Sequence, residues 1–560
     1  MRARMRLAIA GVVVAALTAL TGCVAIPTSG DVTEGDVISG DTDYAFGFLP
    51  SSPRDGASQL EIVQDFIEAQ KGPQNNYEIA RQYLASAVRE TWNPDKSVTV
   101  RSGAADSKQL SDASIRYTMT TTASVDADGR YSEEATPTVE SREFGFVKES
   151  GEWRINSLDD GVILSDDSFN VVFSEYPLYY FDPSYRYLVP DLRWFPVTAL
   201  VTTRIASALV TGPAAWLKGV VVSAFPVGTT VEDTVTVDSG DATVPLSDDA
   251  SDATEQQRVR MRQQLTASLK TVATVGAVTI DVGGIELPIS ATTGTPAAIT
   301  PSVGSLPLVY QGGKFGFATA GAVTPIPGLS ARVTALKPRA ATYAINGSLA
   351  AVLNSSGVWY ASADDPAKLV DARPRLVDPS LDANGIIWTA QRSGVSTILA
   401  TEPDGHRHAL DASSLPPDAK IVSLDVSRDG TRLLVSLSTD SGPRLMVAGI
   451  VRQNGIPIQL GPALDLPAPT GIPLDATWVS DREVATLTSS PSGSAVTLFD
   501  IGGPHQAIGY VTGGESIVGG AAGTDGLRVL ADDGTVYRER SSGWQDAGIN
   551  ASFIATQVPG

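Results

Sequence analysis

From about residue 300 onward the chain keeps returning to one short pattern, a tight turn followed by a strand of four or five mostly apolar residues. Turns stand at Asn346-Gly347 before Leu349 to Leu353, at Asn384-Gly385 before Ile386 to Thr389, and at Asp429-Gly430 before Leu433 to Leu437. Looser copies follow at Asp481, before Val484 to Leu487, and at Asp525-Gly526, before Leu527 to Leu530. The spacings are 38, 45, 52 and 44 residues, with Gly, Asp, Ser and Pro between strands and no long helical stretch. A period of about 40 to 50 residues with several strands per unit is the pattern of a β-propeller. With a weaker unit at Leu306 to Ile326, the sequence predicts an all-β propeller of about six blades over residues 299–560. A sandwich would need fewer residues and no period.

Ahead of the repeats the periodicity is mixed. At Ser58-Gln59-Leu60-Glu61 a capping box opens a helix with an apolar stripe of Leu60, Val63, Phe66 and Ile67. A second helix would place Tyr77, Ala80, Tyr83, Leu84 and Ala87 on one face. Strands follow at Ser97 to Arg101 and Ser114 to Ala123, then a turn at Asp126-Ala127-Asp128-Gly129, then strands at Arg142 to Lys148 and Trp153 to Ser157. Helices followed by antiparallel strands indicate an α+β domain over residues 51–165. Its last hairpin, Phe144 through Ile155, resembles that of cone-shaped NTF2-like domains.

A second α+β domain is expected over residues 166–298. Its strands run from Val171 to Phe181 and over Tyr187-Leu188-Val189-Pro190, and a helix from Val197 to Val210 stops at Gly212-Pro213. A longer helix starts at Asp252, with Asp252 and Glu255 as a capping pair and Met261, Leu265, Leu269 and Val272 on one side. Val278 to Asp281 and Ile285 to Leu287 flank Gly283-Gly284 as a hairpin. Tyr179-Tyr180-Phe181, Gly212-Pro213, the run Ala224 to Thr229 and the run Ala242 to Ser247 together resemble the GerMN domain.

The first 22 residues read as a secretory signal: Arg2, Arg4 and Arg6, an apolar run from Leu7 to Leu20, then Thr21-Gly22. The run is shorter than the roughly 20 apolar residues a bilayer-spanning helix needs. Leu20, Thr21, Gly22 and Cys23 match the bacterial lipobox, in which the thiol receives a diacylglyceryl group and the chain is cut before the cysteine. Cys23 is the only cysteine in 560 residues, so no disulfide within the chain can form. The expected location is the extracytoplasmic face of a cell membrane, held by the lipid. Residues 23–50 lack apolar periodicity and read as a tether with a reach of about 30 Å. Removing the three signal arginines leaves 38 Lys+Arg against 62 Asp+Glu, which makes nucleic acid and anionic headgroups poor partners for the surface.

Signs of catalysis are weak. Gly405-His406-Arg407-His408 spaces two imidazoles as alternate strand residues would, but no cysteine is available as a further metal ligand and an exposed polar loop explains it better. Asp126-Ala127-Asp128-Gly129 brings its glycine too early for an EF-hand. Gly514-Glu515-Ser516-Ile517-Val518 lacks the closing glycine of a nucleophile elbow. No P-loop or dinucleotide fingerprint is present. The acid pairs Asp159-Asp160 and Asp166-Asp167 read as solvated linker residues. No catalytic residue, metal ligand or cofactor site is expected.

The order lipobox, α+β domain, GerMN-like domain and propeller resembles the LpqB lipoproteins of actinobacteria, most specifically through the GerMN segment and Leu188-Val189-Pro190-Asp191-Leu192-Arg193-Trp194. That resemblance implies a role beside the MtrA and MtrB two-component system, with the extracytoplasmic part of the sensor kinase MtrB as partner and cell-wall homeostasis and division as the process. Binding of a cell-wall glycan or other small ligand is the alternative.

Overall fold

A computed structural model of the protein describes residues 50–290, 295–319, 322–345, 349–521, 523–540 and 543–559. The expected signal, lipobox and nearly all of the tether lie outside these residues, as does the Asn346-Gly347 turn.

In the first domain α1 (Gln59–Ala69) opens as expected, with Ser58 and Glu61 forming the capping box. The expected second helix is broken into α2 (Gln74–Arg81) and α3 (Ser86–Arg89), and Asn75, Asn76 and Tyr77 adopt left-handed φ of 49° to 59°. The cause is tertiary. Tyr83 and Leu84 leave the helix so that their backbone pairs with Ile155, with Ala85 N–H donating to Ile155 O and Ile155 N–H to Tyr83 O. Tyr77, Ala80, Tyr83 and Leu84 still reach the core, while Ala87 is exposed. The helices cover a sheet of β1 (Ser97–Ser111), β2 (Ser114–Asp126), β3 (Tyr131–Glu149), β4 (Glu152–Ser157) and β5 (Val162–Ser165), in the order β4-β3-β2-β1-β5.

Helix α4 (Asp166–Val172) replaces the start of the expected Val171 strand, because Ser165 caps it and Phe169 and Val172 turn inward together. The strand begins with β6 (Phe173–Phe181), which pairs antiparallel with β7 (Leu188–Pro196). Helix α5 (Val201–Thr211) starts later than expected, since Val197 N–H is held by Val172 O and residues 198–201 form a turn. It stops at Gly212, as predicted. A sheet of β8 (Thr236–Asp238), β9 (Asp241–Leu246), β10 (Ala277–Val282) and β11 (Ile285–Glu286) includes the expected Gly283-Gly284 hairpin. Helix α6 (Glu255–Leu269) is capped by Thr254 with Gln257 rather than by Asp252 with Glu255, because Asp252 ends a preceding 3-10 turn. Its buried Gln264 and Ser268 bond the backbone of Tyr179, so α6 satisfies polar groups on β6 that no further strand covers.

The C-terminal region is built from four-stranded groups. Four separate sheets have as first strands Ser380–Leu381, Lys420–Val426, Ile472–Trp478 and Gly514–Gly520. An eight-stranded sheet unites the group starting at Ala340–Ala344 with one made of Leu308–Gln311, Lys314–Thr319, Ala322–Thr324 and the C-terminal strand Phe553–Val558. Residues of the strands starting at Ala340, Lys420, Ile472 and Gly514, of Phe553–Val558 and of Asp378-Pro379, just before Ser380–Leu381, line a common cavity. Tight turns stand at Gly385 and Gly430, both at positive φ, but Asp525-Gly526 lies inside the strand Gly523–Ala531. That copy of the repeat is a run of strand residues, not a turn.

Candidate functional site

Nine consecutive residues of β7 are buried, including the charges of Asp191 and Arg193. Burying such a pair is tolerated only with close partners. Arg193 Nη2 donates to Asp191 Oδ2 at 2.6 Å, and the same oxygen accepts Ala214 N–H at 2.7 Å, just past Gly212-Pro213. Arg193 Nη1 donates to Asp128 O, and Trp194 N–H donates to Gly129 O. The Asp126 to Gly129 turn is therefore the place where the second domain grips the first. At Gly129, φ is +79° and a Cβ would come within 2.8 Å of Phe195, so glycine is required on both counts.

Trp194 joins all three regions. Its ring packs on Phe169 and Tyr131, with centroids 5.1 and 5.6 Å away, and its Nε1–H donates to Gly502 O in the C-terminal region at 2.9 Å. Further polar contacts cross between the regions: Arg482 pairs with Glu175 at 3.0 Å, Arg186 with Asn384 at 2.7 Å, Arg204 with Asp95 at 2.9 Å and His505 Nδ1 with Glu133 at 2.8 Å. The hydrogen bond and charge of Glu133 raise the His505 pKa. Trp216 packs into the core between two C-terminal sheets, and a Cβ at Gly449 would lie 2.4 Å from Val220.

The second constellation lines this common cavity, of about 230 Å³. Asp378, two residues before the strand Ser380–Leu381, and Asp425, Asp475 and Glu515, within the first strands of the next three sheets, line it. Asp425 accepts from Ser380 Oγ and Thr477 Oγ1, and Asp475 accepts from Ile517 N–H, so these carboxylates tie neighbouring sheets together. Burial raises the Asp425 pKa to about 6; burial with Asp378 and Asp425 nearby raises that of Asp475 to about 7. The sequence reading missed this set. The available signal was an acid recurring 47, 50 and 40 residues apart from Asp378 to Glu515.

Cys23, Leu20, Thr21 and Gly22 lie outside the described residues. His406 is exposed, whereas His408 sits in the strand Arg407–Ala409, half-buried and paired with Glu402 at 2.6 Å. The polar-loop expectation thus holds for His406 and is corrected for His408, which the strand pairing with Ala400 draws in. Asp160 accepts Asn93 N–H and Asp166 accepts from Thr122 Oγ1, so these two acids anchor local structure. Among the described residues no group of three His, Cys, Asp or Glu is placed to hold a metal, and no helix is long and apolar enough to cross a membrane.

Three family models match the chain. Residues 52–170 match "Lipoprotein LpqB, N-terminal domain", residues 177–288 match "Sporulation and spore germination", and residues 313–550 match "Lipoprotein LpqB beta-propeller domain". A lipoprotein LpqB of Cutibacterium acnes is 26% identical over 97% of this chain and 98% of its own length. One from Streptomyces coelicolor is 27% identical over 88% of this chain and 86% of its own, and one from Thermobifida fusca is 30% identical over 48% and 45%. None of these descriptions names a catalytic activity. The C-terminal sheets accordingly form a propeller domain, and the domain before it is GerMN-like.

Proposed function

Because the chain belongs to the LpqB lipoprotein family, we propose that it is a non-catalytic, membrane-anchored protein-binding module that modulates an MtrB-like sensor kinase, and through it cell-wall homeostasis and division. The observation that carries this reading is the seam. Domains joined by small polar contacts move independently, but a buried arginine donating across the seam to Asp128 O, a buried tryptophan and a tight backbone approach favour one stiff body. A stiff body offers a partner a surface already organised, which lowers the ordering cost of binding. We read the first domain as NTF2-like and the propeller as six-bladed, with Phe553–Val558 closing the first blade. The turns of a propeller cluster at its two ends, and loops on a rigid scaffold are where binding residues concentrate. Acylated Cys23 would confine this surface to the membrane face and raise its effective concentration for a membrane-bound partner.

The test is affinity purification of the anchored chain from solubilised membranes. Enrichment of the kinase over a control lipoprotein supports the reading, and equal recovery with both sinks it. A second reading, binding of a cell-wall glycan or other small ligand, is favoured by a polar cleft in the GerMN-like domain, beside the loop between β6 and β7.

A further inference from the structure

The loop from Asp182 to Tyr187 joins β6 to β7. Asp182 organises it: Asp182 N–H donates to Tyr187 O, and its carboxylate accepts the N–H groups of Ser184 and Tyr187. Tyr185 sits in this loop with φ of +59°. That left-handed position suits glycine or asparagine, and a bulky side chain is held there only when its surroundings over-determine it. Here the surroundings are the Phe181 ring, with its centroid 5.3 Å away, and the Arg260 guanidinium, whose carbon lies 3.4 Å from the centre of the tyrosine ring.

At that distance the guanidinium lies flat on the ring, so its N–H donors point outward in its own plane rather than into the aromatic face. Neighbouring arginines on α6 are committed: Arg258 donates to Ala253 O and Ser251 O, and Arg262 to Ser290 O. Arg260 has no hydrogen-bond acceptor or carboxylate partner among the described residues, and neither do Gln256 and Gln263 on the same face of the helix. These three, with Val259, Tyr185 and Phe181, line a cavity of about 380 Å³. Small-molecule sites span about 300 to 1,000 Å³, which puts this one at the size of a single sugar or a dipeptide.

We propose that this cleft binds a small ligand through a carboxylate held by Arg260, with the amides of Gln256 and Gln263 engaging hydroxyl or amide groups beside it. A planar guanidinium presented on an aromatic ring matches a carboxylate in two-pronged fashion. One cation with Glu255 at the rim, its carboxylate bonded to Ser290, suits a monoanion better than a phosphate dianion. The inference rests on the ligand-binding reading of this domain and is independent of the kinase reading, since the assay contains no kinase.

Two sources share this chemistry, an acidic sugar and the C-terminal carboxylate of a short peptide. Saturation-transfer NMR on the full chain in detergent would compare glucuronate, N-acetyl-Ala-Ala, neutral methyl glucoside and inorganic phosphate. The expected result is binding of glucuronate or N-acetyl-Ala-Ala with weak, millimolar affinity, the stronger of the two naming the source, and less or none of the other probes. Arg260→Gln should weaken it by about 10- to 100-fold, the loss typical of a charge-assisted hydrogen bond. Arg260→Lys, which keeps the charge without the fork, should fall between. Tyr185→Asn suits the left-handed position, so it should keep the melting temperature and lose affinity. Should Arg260→Gln not fold, phenylglyoxal modification of Arg260 in the native chain, read by peptide mass spectrometry, should be slowed by the binding carboxylate. The proposal is overturned if neither carboxylate binds at about 10 mM, if phosphate binds as well as they do, or if neither Arg260 substitution nor ligand protection has any effect.

Discussion

Replacing Asp475 by asparagine should turn a pH-dependent weakness of the cavity wall into a pH-independent one. In the folded chain burial, with Asp378 and Asp425 close by, raises this carboxyl from its ordinary 3.8 to about 7. Between those values the folded state holds a proton that the unfolded state has released, so stability falls as pH rises across that window. Each tenfold change in proton affinity corresponds to about 1.36 kcal/mol, which gives an upper bound of about 4 kcal/mol. Asp475 is only half-buried, so we take about 2 kcal/mol. Asparagine carries no titrating proton. It retains one acceptor oxygen for the N–H groups of Ala476 and Ile517 and loses the other, at a cost of about 1 kcal/mol at every pH. Asp475→Asn should therefore be slightly less stable than the native chain near pH 4 and more stable near pH 8. Urea unfolding of the soluble fragment from residue 50, for both proteins at several pH values, reads this directly. His505 and Asp425 titrate in both proteins with the same sign, so the difference between the curves belongs largely to Asp475 and the acids around it. Parallel stability curves across pH 4 to 8 would show that the reasoning about this carboxylate is wrong.

Other outcomes follow from the seam and from the anchor. Trp194→Ala removes a nearly buried indole shared by three regions and should cost about 3–5 kcal/mol, with urea unfolding splitting into separate transitions as the domains uncouple. A single unchanged transition would mean that the seam does not weld the domains. Cys23→Ser offers no thiol for acyl transfer and should leave an unlipidated precursor; an unmodified Cys23 peptide from native membranes, found by mass spectrometry, would refute the anchor. His406→Ala with His408→Ala should change stability by no more than about 1 kcal/mol, since one side chain is exposed and the other makes a half-buried pair. Loss of bound metal in that double variant, measured by elemental analysis, would contradict a non-catalytic, metal-free reading.

Local signals in the sequence specify the structure where neighbours in the chain decide it. The Ser58 capping box, the Gly283-Gly284 hairpin and the Gly385 and Gly430 turns are all set by residues a few positions apart. Errors arose where distant partners decide it. Tyr83 and Leu84 fit a helical stripe, yet pairing with Ile155 pulls them into extended backbone. Asp525-Gly526 has turn composition but is paired through as a strand. Leu188 through Trp194 stood out as a motif without a visible role, because its partners lie near Asp128, Ala214 and Gly502, the last 308 residues away. Tyr185 and Arg260 were missed for the same reason: a tyrosine in a left-handed turn cannot be recognised before the turn is known.

Direct binding tests the proposal that one stiff body docks on a kinase ectodomain. The soluble fragment from residue 50 should bind the purified extracytoplasmic domain of an MtrB-like kinase with a Kd at or below about 100 µM in calorimetry, and more weakly once residues 301–560 are deleted. No association at several times that concentration, together with no cross-link between the anchored chain and the kinase in membranes, would remove the partner assignment and leave ligand binding by the GerMN-like domain as the better account.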